Sequence, residues 1–322
     1  MSFPILRVLG GALLVLAGVV AYMGIFLGAS ALLLLVFGGG VVVVVAFLGH
    51  RPRPLDLATF VVGILALGAV SAGYAPGSQV VTYSATRAQL QSTAISLTVS
   101  ASFGSVSVGL LNRSDFAYQV NFTRQGWISP ISGPGSDSVT NSTVGGVFNL
   151  NVSSAWSAVT VLVGRGYPLD VTVSTGAGSI ALVAPGSLAL RSVSLHSSTG
   201  SVSAVIDSPN IRSLILRADT GSVSLVAHRL GAAEQHVPIT LSASTGSVSM
   251  NLGILSPDAV SITASTSLGS LSHSLSGFTV TQNTNNNLAA TAGDTALAAR
   301  SFTITATASL GSVDLTVGFV PA

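Results

Sequence analysis

The sequence predicts a membrane anchor of three α-helices followed by an all-β domain, a β-solenoid of stacked coils of 20–25 residues. Three observations predict it. Val8 to Gly49 is almost unbroken apolar sequence, and a further apolar run covers Leu57 to Ala72. Beyond residue 92 apolar and polar residues alternate, the mark of half-buried strands whose successive side chains leave opposite faces. At seven places along that region a glycine followed by Ser and then by Val, Ile or Leu stands between two alternating runs.

The anchor comes first. Val8–Gly49 is too long for one crossing of about 20 residues and suits two. The spans are placed at Pro4–Leu27 and Ala31–Leu48, with Gly28-Ala29-Ser30 as the hairpin between them. Gly24 and Gly28 have small-xxx-small spacing, but they sit at a helix end, where glycine is common. The prolines of His50-Arg51-Pro52-Arg53-Pro54 end the second helix. A third span runs from Leu57 to Ala72, with Tyr74 at an interfacial position. Arg7, Arg51 and Arg53 fall on one side, which the positive-inside rule makes cytoplasmic. The expected topology is therefore multi-pass in the cell membrane, N-terminus inside and C-terminal domain outside. Val70-Ser71-Ala72 resembles a cleavage site after the third span.

The domains follow as anchor 1–75, stalk 76–91 and β ectodomain 92–322. The corner glycines are Gly104, Gly178, Gly200, Gly221, Gly246, Gly269 and Gly311. Residues 214–227, LILRADTGSVSLVA, show the unit: Leu214, Leu216 and Ala218 alternate before the corner, and Val223, Leu225 and Ala227 after it. Glycine supplies a backbone conformation that side-chain-bearing residues avoid. From Gly178 the glycines are 22, 21, 25, 23 and 42 residues apart, the last gap being about two periods. Between the first two corners lies an irregular insert, 111–166, expected to cap the stack, with a binding face as the alternative. It holds strand-like runs at Phe116–Thr123, Val147–Val152 and Ala158–Val163, and the aromatic residues Tyr118, Trp127, Phe148 and Trp156. Gln282–Asn287 is expected to be a polar loop in place of a corner, and the last coil is expected to end the chain.

A repeat of this length with two strands points to a solenoid, because one unit cannot bury its apolar row alone. An antiparallel β-sandwich, with each Thr-Gly-Ser as a hairpin turn, is the alternative. Thr199-Gly200-Ser201-Val202, Thr220-Gly221-Ser222-Val223 and Thr245-Gly246-Ser247-Val248, following an N-terminal membrane segment, resemble the putative-adhesin or "toast-rack" family of membrane-anchored β-solenoid ectodomains. The resemblance covers about residues 90 to 320. It implies a surface location and a binding or envelope role, and supplies no catalytic residues. Members often carry acids beside the corner glycine, where this chain carries Ser.

The remaining chemistry is sparse. Charged residues make up 7% of the chain, all 12 basic residues are Arg, and outside the membrane region 9 Arg face 9 acids. A neutral ectodomain gives no electrostatic reason for a nucleic-acid partner. With no Cys there are no disulfides, thiolate metal sites or Cys nucleophiles. Gly176-Ala-Gly178-Ser-Ile-Ala181 matches a dinucleotide fingerprint, but Pro185-Gly186 follows where a helix should open. His228 and His236 flank a loop with Glu234, a spacing that reads as a solvated loop before it reads as zinc. Asp207, Asp219, Asp258 and Asp294 lie near turns, where Asp bonds backbone. Catalytic, cofactor and metal residues are therefore expected to be none. Sequons at Asn112, Asn121, Asn141 and Asn151 are N-glycosylation acceptors in a host that glycosylates. The expected function is a non-enzymatic, membrane-anchored adhesin-like or envelope structural module, contacting a cell-envelope or surface glycan or protein ligand. The alternative is an envelope sensor that signals through its membrane helices.

Overall fold

The computed structural model describes residues 79–90, 92–113, 115–124, 137–234, 236–255, 259–294 and 298–321. The expected membrane spans, Trp127 and Asp258 lie outside them. Nearly all the described residues belong to the compact unit formed by Val80–Thr123 and Gly135–Ala322. Among the described residues, no helix is long and apolar enough to cross a membrane.

The described chain is all-β. Its first strands are β1 (Gln79–Thr86), β2 (Ala94–Phe103), β3 (Val106–Leu110), β4 (Phe116–Arg124), β5 (Ser138–Val144), β6 (Val147–Ser154) and β7 (Ala158–Val163). Next come β8 (Leu169–Ala177), β9 (Ile180–Ala184), β10 (Leu190–Thr199), β11 (Val202–Ile211), β12 (Ser213–Thr220), β13 (Val223–Ala232), β14 (Val237–Thr245) and β15 (Val248–Leu255). The last are β16 (Ala259–Leu268), β17 (Leu271–Leu275), β18 (Thr279–Asn283), β19 (Asn287–Ala292), β20 (Ser301–Leu310) and β21 (Val313–Val320).

They form two large open sheets. One has 10 strands in the order β1-β4-β7-β3-β9-β11-β13-β15-β21-β17; the other has 11, in the order β18-β19-β16-β20-β14-β12-β10-β8-β2-β6-β5. Each corner glycine joins a strand of the 11-stranded sheet to one of the 10-stranded sheet, and the two flanking strands do not pair with each other. Thr-Gly-Ser is therefore not a hairpin turn, and the antiparallel sandwich is overturned. The strands that flank the corners pair in parallel with strands of other repeats, and β16 has in addition one antiparallel neighbour, β19.

In-register parallel pairing carries like residues onto like. Val152, Val99, Val173, Leu195, Leu216, Leu241, Ala306 and Ala264 form one buried row. Val159, Val106, Ile180, Val202, Val223, Val248 and Val313 form another on the facing sheet. One strand's apolar row is too narrow to stay dry, and neighbours about 4.8 Å away on each side complete it.

Three expectations change, and the order of the stack is a further finding. The stacking order is not the sequence order: the pair β20–β21 sits between β14–β15 and β16–β17, so Gly311 lies between Gly246 and Gly269. The gap of two periods supplies the chain for this return. The polar stretch Gln282–Asn287 is not a loop excursion either, since it joins β18 to β19 in an antiparallel hairpin that lies against β16. Residues 147–163 are not irregular, because β6 and β7 pair in parallel with β2 and β3 and form a coil without a corner glycine. The irregular parts of 111–166 are β4 and β5, antiparallel strands beside that coil. Finally, much of the expected stalk is β1, the edge of the 10-stranded sheet. Val81 and Ala85 pack on the core there, and the Tyr83 ring meets Phe122 edge-on at 5.8 Å.

Candidate functional site

The corners are built from three residue types. The seven glycines have φ between 115° and 158°, where a side chain is strained. A Cβ on Gly221 would also sit 2.3 Å from the carbonyl oxygen of Gly200. The glycine N–H donates to the carbonyl of the residue before the next corner: Gly200 to Thr220 and Gly221 to Thr245, both at 2.8 Å. The following serine serves the same stacking. Ser179 Oγ accepts from the Ser201 N–H at 3.3 Å, Ser201 Oγ from Ser222 at 3.4 Å, and Ser222 Oγ from Ser247 at 3.4 Å. Thr175, Ser197 and Thr266, polar residues on inward positions, donate their hydroxyls to the carbonyls of Gly104, Gly178 and Gly311.

The coil of β6 and β7 turns differently. Ser157 holds the corner position, and a Cβ on Gly104 would meet its carbonyl oxygen at 2.5 Å. Ser154 Oγ accepts the Ser157 N–H at 2.9 Å, and the two hydroxyls donate to the two oxygens of Asp137, at 2.8 and 2.7 Å. Both serines are buried. A carboxylate thus satisfies a turn that has no glycine. The sequence signal for it is the spacing Ser-x-x-Ser ahead of Val159, legible only once the register is known.

The outward face of the 11-stranded sheet is covered by short hydroxyl side chains. One row reads Thr98, Thr172, Ser194, Ile215, Thr240, Thr305 and Thr263. The next reads Ser100, Ser174, His196, Arg217, Ser242, Thr307 and Ser265. Charge enters in the middle, where His196 Nε2 lies 3.2 Å from Asp219 Oδ2 beside exposed Arg217. Arg191 is held by Asp170 at the start of its strand.

A further row runs along the corner itself. The residue before each corner is Trp156, Phe103, Ala177, Thr199, Thr220, Thr245, Leu310 and Leu268 in stacking order. Trp156, Phe103, Leu310 and Leu268 are 49%, 46%, 49% and 68% exposed, so the aromatic and leucine ends of this row stand in solvent. The Trp156 and Phe103 rings stack at 4.3 Å with 6° between their planes.

The other singled-out residues stay apart. Glu234 pairs with Arg212 at 3.3 Å, and the His236 ring lies 3.3 Å from Ser301 Oγ. His273 is half-buried on β17. Among the described residues no three His, Asp or Glu come together as a metal site. Asn112 Oδ1 accepts from Arg165 at 3.0 Å, and Asn121 Oδ1 accepts from Thr82 at 2.9 Å and Gln119 at 3.0 Å. Asn141 donates to the Tyr118 hydroxyl at 3.4 Å, and Asn151 is exposed on the outer face of β6.

No family model matches the chain, and no curated protein matches it. Three solved structures are similar to it in fold, each at 10% identity. A putative cell adhesion protein from Clostridium sporogenes has a TM-score of 0.48 over 75% of this chain and 100% of its own. A putative adhesin from Bacteroides fragilis has a TM-score of 0.31 over 74% and 98%. A putative adhesin from Parabacteroides distasonis has a TM-score of 0.23 over 76% and 98%.

Proposed function

We propose that the chain is a membrane-anchored, extracellular adhesin-like or envelope binding module, non-enzymatic, whose coils stack as a β-solenoid. One observation supports the binding role above the others: the rows of Ser and Thr on the outward face of the 11-stranded sheet. Hydroxyls at a fixed repeat of about 4.8 Å offer many equivalent donors and acceptors, and short side chains lose little rotamer freedom on contact. Each contact is weak, so such a face suits an extended, repeating, uncharged partner bound at many points at once. A surface glycan or a neutral face of another envelope protein fits this description. The neutral charge balance disfavours nucleic acid. The apolar runs before residue 75 and the arginines beside them support a multi-pass membrane location with the β domain outside.

The test uses the full chain expressed in cells. Because the chain has no Cys, Ser244→Cys on the outward face gives a single label site. An impermeant maleimide should label it on intact cells, and those cells should adhere to glycan- or protein-coated surfaces better than cells lacking the chain. Replacing residues 1–75 with an unrelated anchor should leave adhesion intact. Labelling only after lysis, or no gain in adhesion, contradicts the proposal; loss of the phenotype on the anchor swap favours the sensor reading.

A further inference from the structure

We infer that the corner carries a binding slot for one neutral pyranose ring, stacked on Phe103 and seated over Ala177. The inference rests on the binding-module reading above and names its ligand class. Trp156 covers one face of the Phe103 ring, in parallel contact at 4.3 Å. Trp156 and Phe103 occupy successive rungs, with Ala177 on the rung after Phe103 and Thr199 beyond it. The face of Phe103 turned away from Trp156 therefore looks toward the Ala177 rung. Rungs are about 4.8 Å apart, so Phe103 and Thr199 are about 9.6 Å apart at the backbone with only a methyl group between them. A flat ring in van der Waals contact needs about 3.5–4 Å on each side, and one ring fills that gap.

The floor is the methyl group of half-buried Ala177, the smallest side chain in the row. The surroundings choose the ligand. Thr199, Ser179 and Ser201 put exposed hydroxyls on the same corner, and a hydroxyl that accepts a backbone N–H still has its own proton to donate. An aromatic side chain from a partner protein would leave these groups unanswered, and a nucleobase would bring phosphates to a face without a basic track. A pyranose presents axial C–H groups to the aromatic face and equatorial hydroxyls to the rim.

The experiment uses the full chain in a detergent that contains no sugar. The chain's two tryptophans are Trp127 and Trp156, so Trp127→Phe leaves Trp156 as the sole indole reporter. Neutral tetrasaccharides of glucose, N-acetylglucosamine and mannose are the probes. At least one should shift Trp156 emission saturably. Phe103→Ala should weaken that binding at least tenfold by removing the platform. Ala177→Thr should do the same by filling the slot with the residue of the three neighbouring rungs, which the fold already accommodates. Leu268→Ala, at the far end of the row, should leave it unchanged. Saturable binding that survives Phe103→Ala and Ala177→Thr overturns the slot while leaving the binding-module reading in place. No binding of any probe also overturns the slot, and the adhesion assay above then decides the broader reading independently.

Discussion

The Cβ that Gly221 lacks would sit 2.3 Å from the carbonyl oxygen of Gly200. The same relationship links Gly200 to Gly178 at 2.2 Å, Gly246 to Gly221 at 2.2 Å and Gly311 to Gly246 at 2.2 Å. Each corner glycine is thus required twice, by its own φ and by the coil stacked against it. That double requirement explains why Gly-Ser recurs when the rest of the repeat drifts.

Gly221→Ala should therefore destabilise the domain by about 3 kcal/mol or more, since strain and a backbone clash act together. Gly109→Ala is the contrast. A methyl group there meets Leu162 Cδ2 at an ordinary 3.5 Å, and its effect should stay within about 0.5 kcal/mol. Denaturant unfolding of the two variants checks this.

Leu216 is fully buried in the row between Leu195 and Leu241, and Arg217 beside it is exposed. Leu216→Asp should unfold the domain, because an unpaired carboxylate in an apolar row costs several kcal/mol. Arg217→Asp should cost no more than about 0.5 kcal/mol. Circular dichroism of both variants reads the difference, and equal effects would contradict the register.

These registers were legible in the sequence because alternation and a fixed corner residue report the same thing. Leu214, Leu216, Ala218, Val223, Leu225 and Ala227 are all buried, as the unit required. What stayed hidden was order along the stack. Nothing in residues 269–311 says that Gly311 returns to sit between Gly246 and Gly269, because every coil presents nearly the same apolar row to its neighbour. The β6–β7 coil was hidden for the opposite reason, since its corner uses Ser157 and Asp137 in place of glycine. The stacked aromatic pair was split between Phe103 and Trp156, 53 positions apart, and only the β2–β6 register joins them.

The Asp137 turn makes its own prediction. Asp137→Ala leaves the hydroxyls of Ser154 and Ser157 buried without their carboxylate and should cost about 1–3 kcal/mol. Removing all three polar groups, in Asp137→Ala with Ser154→Ala and Ser157→Ala, should cost clearly less than the sum of the single changes. Additive losses in a mutant cycle would show that the three do not act together.

The stacking of like corners can be measured by cross-linking. Thr199 and Thr220 are partners in register, as are Thr220 and Thr245, so their Cα atoms are about 4.8 Å apart, within disulfide reach. Thr199 and Thr245 are two rungs apart, about 9.6 Å, and beyond that reach. In a chain with no other Cys, Thr199→Cys with Thr220→Cys, and Thr220→Cys with Thr245→Cys, should each form an intramolecular disulfide under mild oxidation. Thr199→Cys with Thr245→Cys should not. Cross-linking of the skipped pair as readily as the adjacent ones, or of neither adjacent pair, would contradict the stacked corner.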